Sequence, residues 1–221
     1  MDTMMDKRQL YVCGDSFSEC AFLDNHYDCW VYQLAQELDN KVLNDSLGGG
    51  SNYRTVRKTI ETTIAVHNTI STAIVVWTDP TRYEIPGDED DNGYIRCFHN
   101  TAQEHYLVNN WLDQIQLLER YFSMLPMEYY FVNAFHSTEK YTADRSTKKY
   151  TADAISTGII TDKIKRLNHS RWLLPIDTHM HEWAELNGGL LADGHLNIEA
   201  NRNFTEYALE VIYSRRQFHI W

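Results

Sequence analysis

An α/β domain, one parallel sheet with helices on both faces, is the fold class this sequence predicts. Three observations carry the prediction. Short apolar or β-branched runs stop abruptly at glycine or proline: Leu10-Tyr11-Val12-Cys13 before Gly14, and Thr72-Ala73-Ile74-Val75-Val76-Trp77 before Pro80. Other stretches repeat apolar residues at helical spacing. The two kinds of segment alternate along the chain, the order that parallel strands with crossover helices require.

Taken in order, residues 10–13 form the first strand, and Gly14 permits the tight turn that ends it. Residues 29–38 carry Trp30, Val31, Leu34, Ala35 and Leu38 at helical spacing, and Asp39-Asn40 closes that helix. Residues 41–44 make a brief second strand around Val42 and Leu43. The loop Leu47-Gly48-Gly49-Gly50-Ser51-Asn52 follows, with Ser51 or Asn52 capping a helix over residues 53–68. The third strand is 72–77. Residues 85–99 read as an insertion centred on Asp88-Glu89-Asp90-Asp91, a solvated acidic loop.

A long helix spans 103–125, with Leu107, Trp111, Leu112, Ile115, Leu118, Tyr121 and Phe122 inward. A fourth strand covers 129–133. Residues 135–170 are a second insertion, a surface excursion or helical lid. It contains a duplicated pentad, Lys-Tyr-Thr-Ala-Asp at 140–144 and again at 149–153. A fifth strand is expected at 172–176, a short helix at 182–186, and a closing helix at 198–213.

At 221 residues the chain suits one core rather than two, so residues 1–221 are read as a single domain. Hydrophobic residues at 43% and aromatics at 13% argue against disorder. A net charge of −11 disfavours nucleic acid and anionic membrane surfaces. No apolar run approaches the roughly 20 residues that span a bilayer. Residues 1–8 lack the apolar segment of a signal peptide, so a cytoplasmic location is expected. Cys13, Cys20, Cys29 and Cys97 contain no Cys-x-x-Cys pair and read as reduced thiols.

In a parallel α/β sheet, sites form at the carboxyl ends of the strands. That rim collects Gly14-Asp15-Ser16, the glycine loop and Trp77-Thr78-Asp79. Acyl transfer needs a nucleophile, a base, a group that orients the base, and donors for the oxyanion. Ser16 is the nucleophile candidate. Asp193-Gly194-His195, just before the last helix, offers an imidazole to take its proton and a carboxylate to hold the tautomer.

These blocks, in this order, resemble the SGNH hydrolases, or GDSL-type esterases and lipases, from about Gln9 to Ile212. The resemblance implies a flavodoxin-like α/β/α sandwich of about five parallel strands. It also implies ester hydrolysis without metal or cofactor. It makes Ser16 the nucleophile and first oxyanion N–H, His195 the base and Asp193 its orienter, with Asp177 in reserve. Gly49 supplies the second N–H, or Gly48 or Gly50 if the register slips by one. Thr78 falls where the family places an oxyanion asparagine, and Asn52 is a substitute donor. A small-molecule or carbohydrate ester, such as an acetylated sugar, is the implied substrate. The glycine loop, with Trp77-Thr78-Asp79-Pro80 and Arg82-x-Glu84, is most similar to small SGNH-like proteins of bacteriophage genomes.

Two departures stand out: Thr78 replaces the asparagine, and one residue, not two, separates Asp193 from His195. They favour a second reading, a non-catalytic virion component or binder of acylated ligands. Elsewhere, Asp177, His179 and His181 would share one face of an extended strand and could hold a divalent ion. The preferred reading packs them as a loop beneath the Ser16 rim. Arg82 and Glu84 are expected to form an ion pair with each other.

Overall fold

The computed structural model describes residues 8–20, 22–89, 95–99, 104–135 and 154–218. Its strands are β1 (Gln9–Cys13), β2 (Lys41–Asn44), β3 (Ile70–Trp77), β4 (Arg82–Glu89), β5 (Ile95–His99) and β6 (Glu128–Asn133). Its helices are α1 (Ser16–Glu19), α2 (Trp30–Glu37), α3 (Asn52–Val66), α4 (Glu104–Ser123), α5 (Ala154–Arg166), α6 (Met180–Leu186) and α7 (Ile198–Phe218). Four strands form a parallel sheet in the order β2-β1-β3-β6.

The period-2 alternation of the strands sorts their side chains onto two faces. Leu10, Val12, Ile74, Val76, Tyr130 and Val132 pack with Trp30 and Leu34 of α2 and with Phe204, Ala208 and Ile212 of α7. Tyr11, Cys13, Ala73, Val75, Trp77 and Phe131 pack on the other face with Val56 of α3, Trp111, Leu112 and Ile115 of α4, and Ile160 of α5. The result is the three-layer α/β/α sandwich that the alternation of segments predicts. Each fully buried large side chain contributes about 1.5–3 kcal/mol, so both layers are held chiefly by apolar burial.

The expected fifth strand is reduced to isolated parallel bridges, Phe131 with Trp172 and Asn133 with His179. Leu173 N–H donates to Phe131 C=O at 2.8 Å. Pro175 has no N–H to continue the ladder, and Asn133 Nδ2 donates to Ile176 C=O at 2.9 Å in its place.

Residues 85–99 were expected as a loop, but β4 and β5 pair there as an antiparallel hairpin. Pro86 and Gly87 mask the strand pattern, and the register shifts between Glu84 and Glu89 around them. Asp90 and Asp91 lie outside the described residues. So does the duplicated pentad of the second insertion. The described end of that insertion, α5, is a packed layer helix: Ile160 is fully buried, and Lys163 Nζ reaches Asp113 at 2.6 Å.

The cysteine expectation also needs correction. Cys20 and Cys29 are joined as a disulfide with Cα atoms 5.6 Å apart, closing the loop between α1 and α2. Cys13 is a buried free thiol, and the Cys97 side chain lies outside the described ones. The pairing withdraws the thiol argument for a cytoplasmic setting, because disulfides persist mainly in oxidising compartments. Among the described residues, no helix is long and apolar enough to cross a membrane.

Candidate active site

The site starts where β1 ends. A Cβ at Gly14 would sit 2.5 Å from Val76 Cβ and 2.8 Å from the Val76 carbonyl oxygen, so only glycine lets β1 turn this close to β3. Asp15 then caps α1, its Oδ1 accepting the Phe17 N–H at 3.1 Å. Ser16, half-buried, opens the helix. Its hydroxyl makes no hydrogen bond among the described residues.

Asp15 is fully buried. Its Oδ2 faces Arg82 Nη1 at 3.8 Å, an ion pair without a direct hydrogen bond. Burial pushes the carboxyl up; the Thr78 hydroxyl, the Arg82 guanidinium, the Phe17 N–H and the His195 imidazole pull it back. Arg82 Nη1 also donates to Thr78 Oγ1 at 2.9 Å. Arg82 therefore pairs with Asp15, and Glu84 pairs with Arg57 at 4.0 Å. The expected Arg82–Glu84 pair does not form.

The glycine loop reaches the same place. Glu19 Oε2 accepts the Gly48 N–H at 2.7 Å, tying the loop to α1, and Gly50 N–H donates to Leu47 C=O at 2.9 Å. The Gly49 N–H has no partner among the described residues. Gly49 is exposed and holds φ +73°, a left-handed conformation suited to glycine.

The two remaining donor candidates are engaged elsewhere. The buried Asn52 amide clasps the Thr78 backbone from both sides: Nδ2 donates to Thr78 C=O at 3.0 Å, and Oδ1 accepts Thr78 N–H at 2.9 Å. Thr78 is itself buried, with its hydroxyl held between Arg82 and Asp15. Their roles are to fix the end of β3 and to position Arg82.

His195 arrives from the turn before α7, where Gly194 has φ +85°. Asp193 Oδ1 accepts the His195 backbone N–H at 3.1 Å and lies 3.2 Å from Nδ1. The approach to Nδ1 is too oblique for a straight hydrogen bond. The His195 backbone N–H first, and its imidazole after it, hold the Asp193 carboxyl below the usual carboxylate range. Both ring nitrogens of His195 are buried. Phe22 stacks on the ring, and Phe17 tilts against it at 5.5 Å.

Ser16 and His195 line one narrow cavity of ≈ 20 Å³ with Phe17, Phe22, Leu23 and Leu196. That is room for about one water. The structure thus brings both groups to one cavity, although no hydrogen bond joins them.

Asp177, His179 and His181 do not form the shared extended face. His179 caps α6, its Nδ1 accepting the Glu182 N–H at 3.2 Å, and His181 is already inside that helix. No group of three or more potential metal ligands occurs among the described residues.

Sequence reasoning missed two participants, Phe22 and the Asp15 partnership of Arg82. The pairing of Arg82 had no local signal. The only sequence signal for Phe22 was its place between two cysteines.

No family model matches the sequence, and no curated protein is detectably similar to it. The fold has clear counterparts among solved structures. Axe2, an acetylxylan esterase from Geobacillus stearothermophilus, superposes with a TM-score of 0.54 at 14% identity, covering 93% of this chain and 94% of that one. TesA gives 0.52 at 14% identity over 94% and 99%. A member of the lipolytic G-D-S-L family from Veillonella parvula DSM 2008 gives 0.50 at 13% identity over 93% and 98%. The chain therefore has the fold of the SGNH, or GDSL-type, hydrolases.

Proposed function

We propose that this chain is a serine ester hydrolase. Ser16 Oγ attacks the ester carbonyl as its proton passes to His195 Nε2. The carbonyl oxygen becomes an oxyanion held by the N–H groups of Ser16 and Gly49. The C–O bond to the alcohol then breaks, and the alcohol leaves with the proton from His195. Water, deprotonated by the same imidazole, releases the acid and restores Ser16. Asp193 orients His195 throughout. Arg82 acts through Asp15 and Thr78, as a positioning residue for the serine turn.

The observation that carries this reading is the shared cavity of Ser16 and His195, with Asp193 Oδ1 3.2 Å from Nδ1. An acetylated carbohydrate is the favoured substrate class, because Axe2 and a similar protein, AlAXEase, are acetyl xylan esterases. Comparing Ser16→Ala with the parent protein on a short-chain aryl ester tests the reading. The variant is expected to fold and lose turnover; equal turnover would refute the role of Ser16.

A second reading, a non-catalytic binder with this fold, is favoured by one observation. Phe22 covers an imidazole whose two nitrogens are both buried and lack a straight hydrogen bond. An inert His195 would leave Ser16 unreactive toward organophosphorus probes.

A further inference from the structure

The chain leaving β2 is fastened to the serine turn step by step. Asn44 Nδ2 donates to Ser18 C=O at 2.6 Å, Ser46 Oγ to Ser18 Oγ at 2.9 Å, and Leu47 N–H to Gly14 C=O at 3.1 Å. The last of these ties is the Gly48 N–H, which Glu19 Oε2 accepts at 2.7 Å. A β-turn begins there, closed by Gly50 N–H on Leu47 C=O at 2.9 Å. Gly49 is its third residue, with φ +73°, and the Gly49 N–H has no partner among the described residues. Glu19 thus grips the peptide next to the one free donor of the turn.

Glu19 also stands beside Ser16. The two are three residues apart in α1 and so neighbours on its surface. A Cβ on Gly48 would lie 2.5 Å from Glu19 Oε2 and 3.6 Å from Ser16 Cβ, so the loop runs close to both. Glu19 is half-buried and forms no ion pair among the described residues, so no cation competes with the Gly48 N–H for its carboxylate. A charged acceptor makes this bond stronger than a neutral one would. Donors stabilise an oxyanion only when they stand in place before the charge develops. An error of about 1 Å in such a placement can cost about 10²-fold in rate.

We infer that Glu19 is the positioning residue of the oxyanion loop: by holding the Gly48 N–H against α1, it sets the Gly49 N–H relative to Ser16. It acts through the loop and touches no reacting atom. The oxyanion role rests on the hydrolase reading; the fastening of the loop does not.

The test has two arms, both on full-length protein. The first follows amide hydrogen exchange at Gly48 by NMR with ¹⁵N-glycine labelling, the signal being assigned by its loss in Gly48→Ala. Exchange is expected to quicken by about tenfold or more in Glu19→Ala and to stay slow in Glu19→Gln, whose amide oxygen still accepts the N–H. Unchanged exchange in Glu19→Ala overturns the fastening and the inference with it. The second arm measures aryl-ester hydrolysis. Glu19→Ala is expected to lower kcat by about 10–100-fold with KM changed by less than about threefold, and Glu19→Gln to restore most of kcat. Faster exchange with kcat unchanged, or a rise in KM alone, overturns the positioning role and leaves the hydrolase reading standing. An absence of Ser16-dependent hydrolysis in the parent overturns the hydrolase reading and the oxyanion role together, while the exchange arm still decides the fastening. Should Glu19→Ala not fold, Gly48→Ala takes its place in the kinetic arm, because its methyl would push the carboxylate off the N–H. The same fall in kcat is then expected, and an unchanged kcat overturns the role.

Discussion

The Phe22 ring lies 3.6 Å from the His195 imidazole, centroid to centroid, with 15° between their planes. Phe22 sits in the loop closed by Cys20 and Cys29, so a covalent tie holds the covering ring in the neighbourhood of the base. Aromatic pairs of this kind contribute about 0.5–1.5 kcal/mol. Phe22→Ala should therefore raise the accessible fraction of His195 by up to about tenfold. The rate of carbethoxylation at His195, followed by peptide mass spectrometry, reads this directly. An unchanged rate would mean that Phe22 does not shield the ring.

Reduction of the disulfide should loosen the same loop. A short loop of this size is worth about 2–3 kcal/mol to the folded state. Cys20→Ser/Cys29→Ser protein should unfold at correspondingly lower denaturant, with His195 more readily modified. The bond itself is checked by intact mass with and without reductant before alkylation. An identical denaturation midpoint would deny the loop its stabilising role.

Gly14→Ala tests how closely the serine turn is packed. The new methyl would meet Val76 at 2.5 Å, well inside contact distance. Overpacking of this kind costs about 1–3 kcal/mol. Chemical denaturation should show a loss in that range, and a neutral substitution would mean that β1 and β3 can separate at their ends.

Asp15 gives stability a pH dependence. Burial raises its carboxyl pKa in the folded state above the ordinary value. Its contribution is therefore fully present below the ordinary carboxylate pKa and is lost as pH rises through the raised one. Asp15→Asn keeps an oxygen to cap Phe17 but cannot ionise. The melting temperature of the variant relative to the parent should rise as pH increases from the ordinary carboxylate range toward neutrality. A difference independent of pH would show that Asp15 carries no raised pKa.

Asp193 behaves in the opposite sense. Its carboxyl is held low, chiefly by the His195 backbone N–H, so it stays ionised through the ordinary carboxylate range. Its hold on the imidazole is lost only as pH falls through that lowered value. Asp193→Asn should lower kcat by about 10²–10⁴-fold. The loss should be similar across about pH 5–8, where the parent carboxylate is ionised throughout. A loss confined to acid pH would place the titrating group elsewhere.

Much of the sandwich was legible because its signals are local. The β-branched run 72–77 and the helical spacing of 29–38 each declare an element without reference to the rest of the chain. Ser51 as a cap and Gly14 as a turn are equally local. Strand order brought the Gly14 turn, the glycine loop and the end of β3 to one rim, since carboxyl ends of parallel strands share it, whereas His195, on the turn before α7, rested on the family resemblance.

What stayed hidden depends on distant pairing. Arg82 is closer in sequence to Glu84 than to Asp15, yet burial of Asp15 in the serine turn claims the guanidinium. Asn52 looked free to donate because nothing in its neighbourhood shows that Thr78 presents its backbone to it. Pro86 and Gly87 concealed a hairpin whose register is set by its partner strand. The Cys20–Cys29 bond depends on the α1–α2 loop folding back on itself.

Labelling with a fluorophosphonate tests the central proposal most directly. An activated serine forms a phosphonyl ester as fluoride leaves, whereas an ordinary one does not. Peptide mass spectrometry is predicted to find the adduct on Ser16 in the parent protein and to lose it in His195→Ala. An unmodified Ser16 in the parent, or equal labelling without His195, would contradict the proposed chemistry.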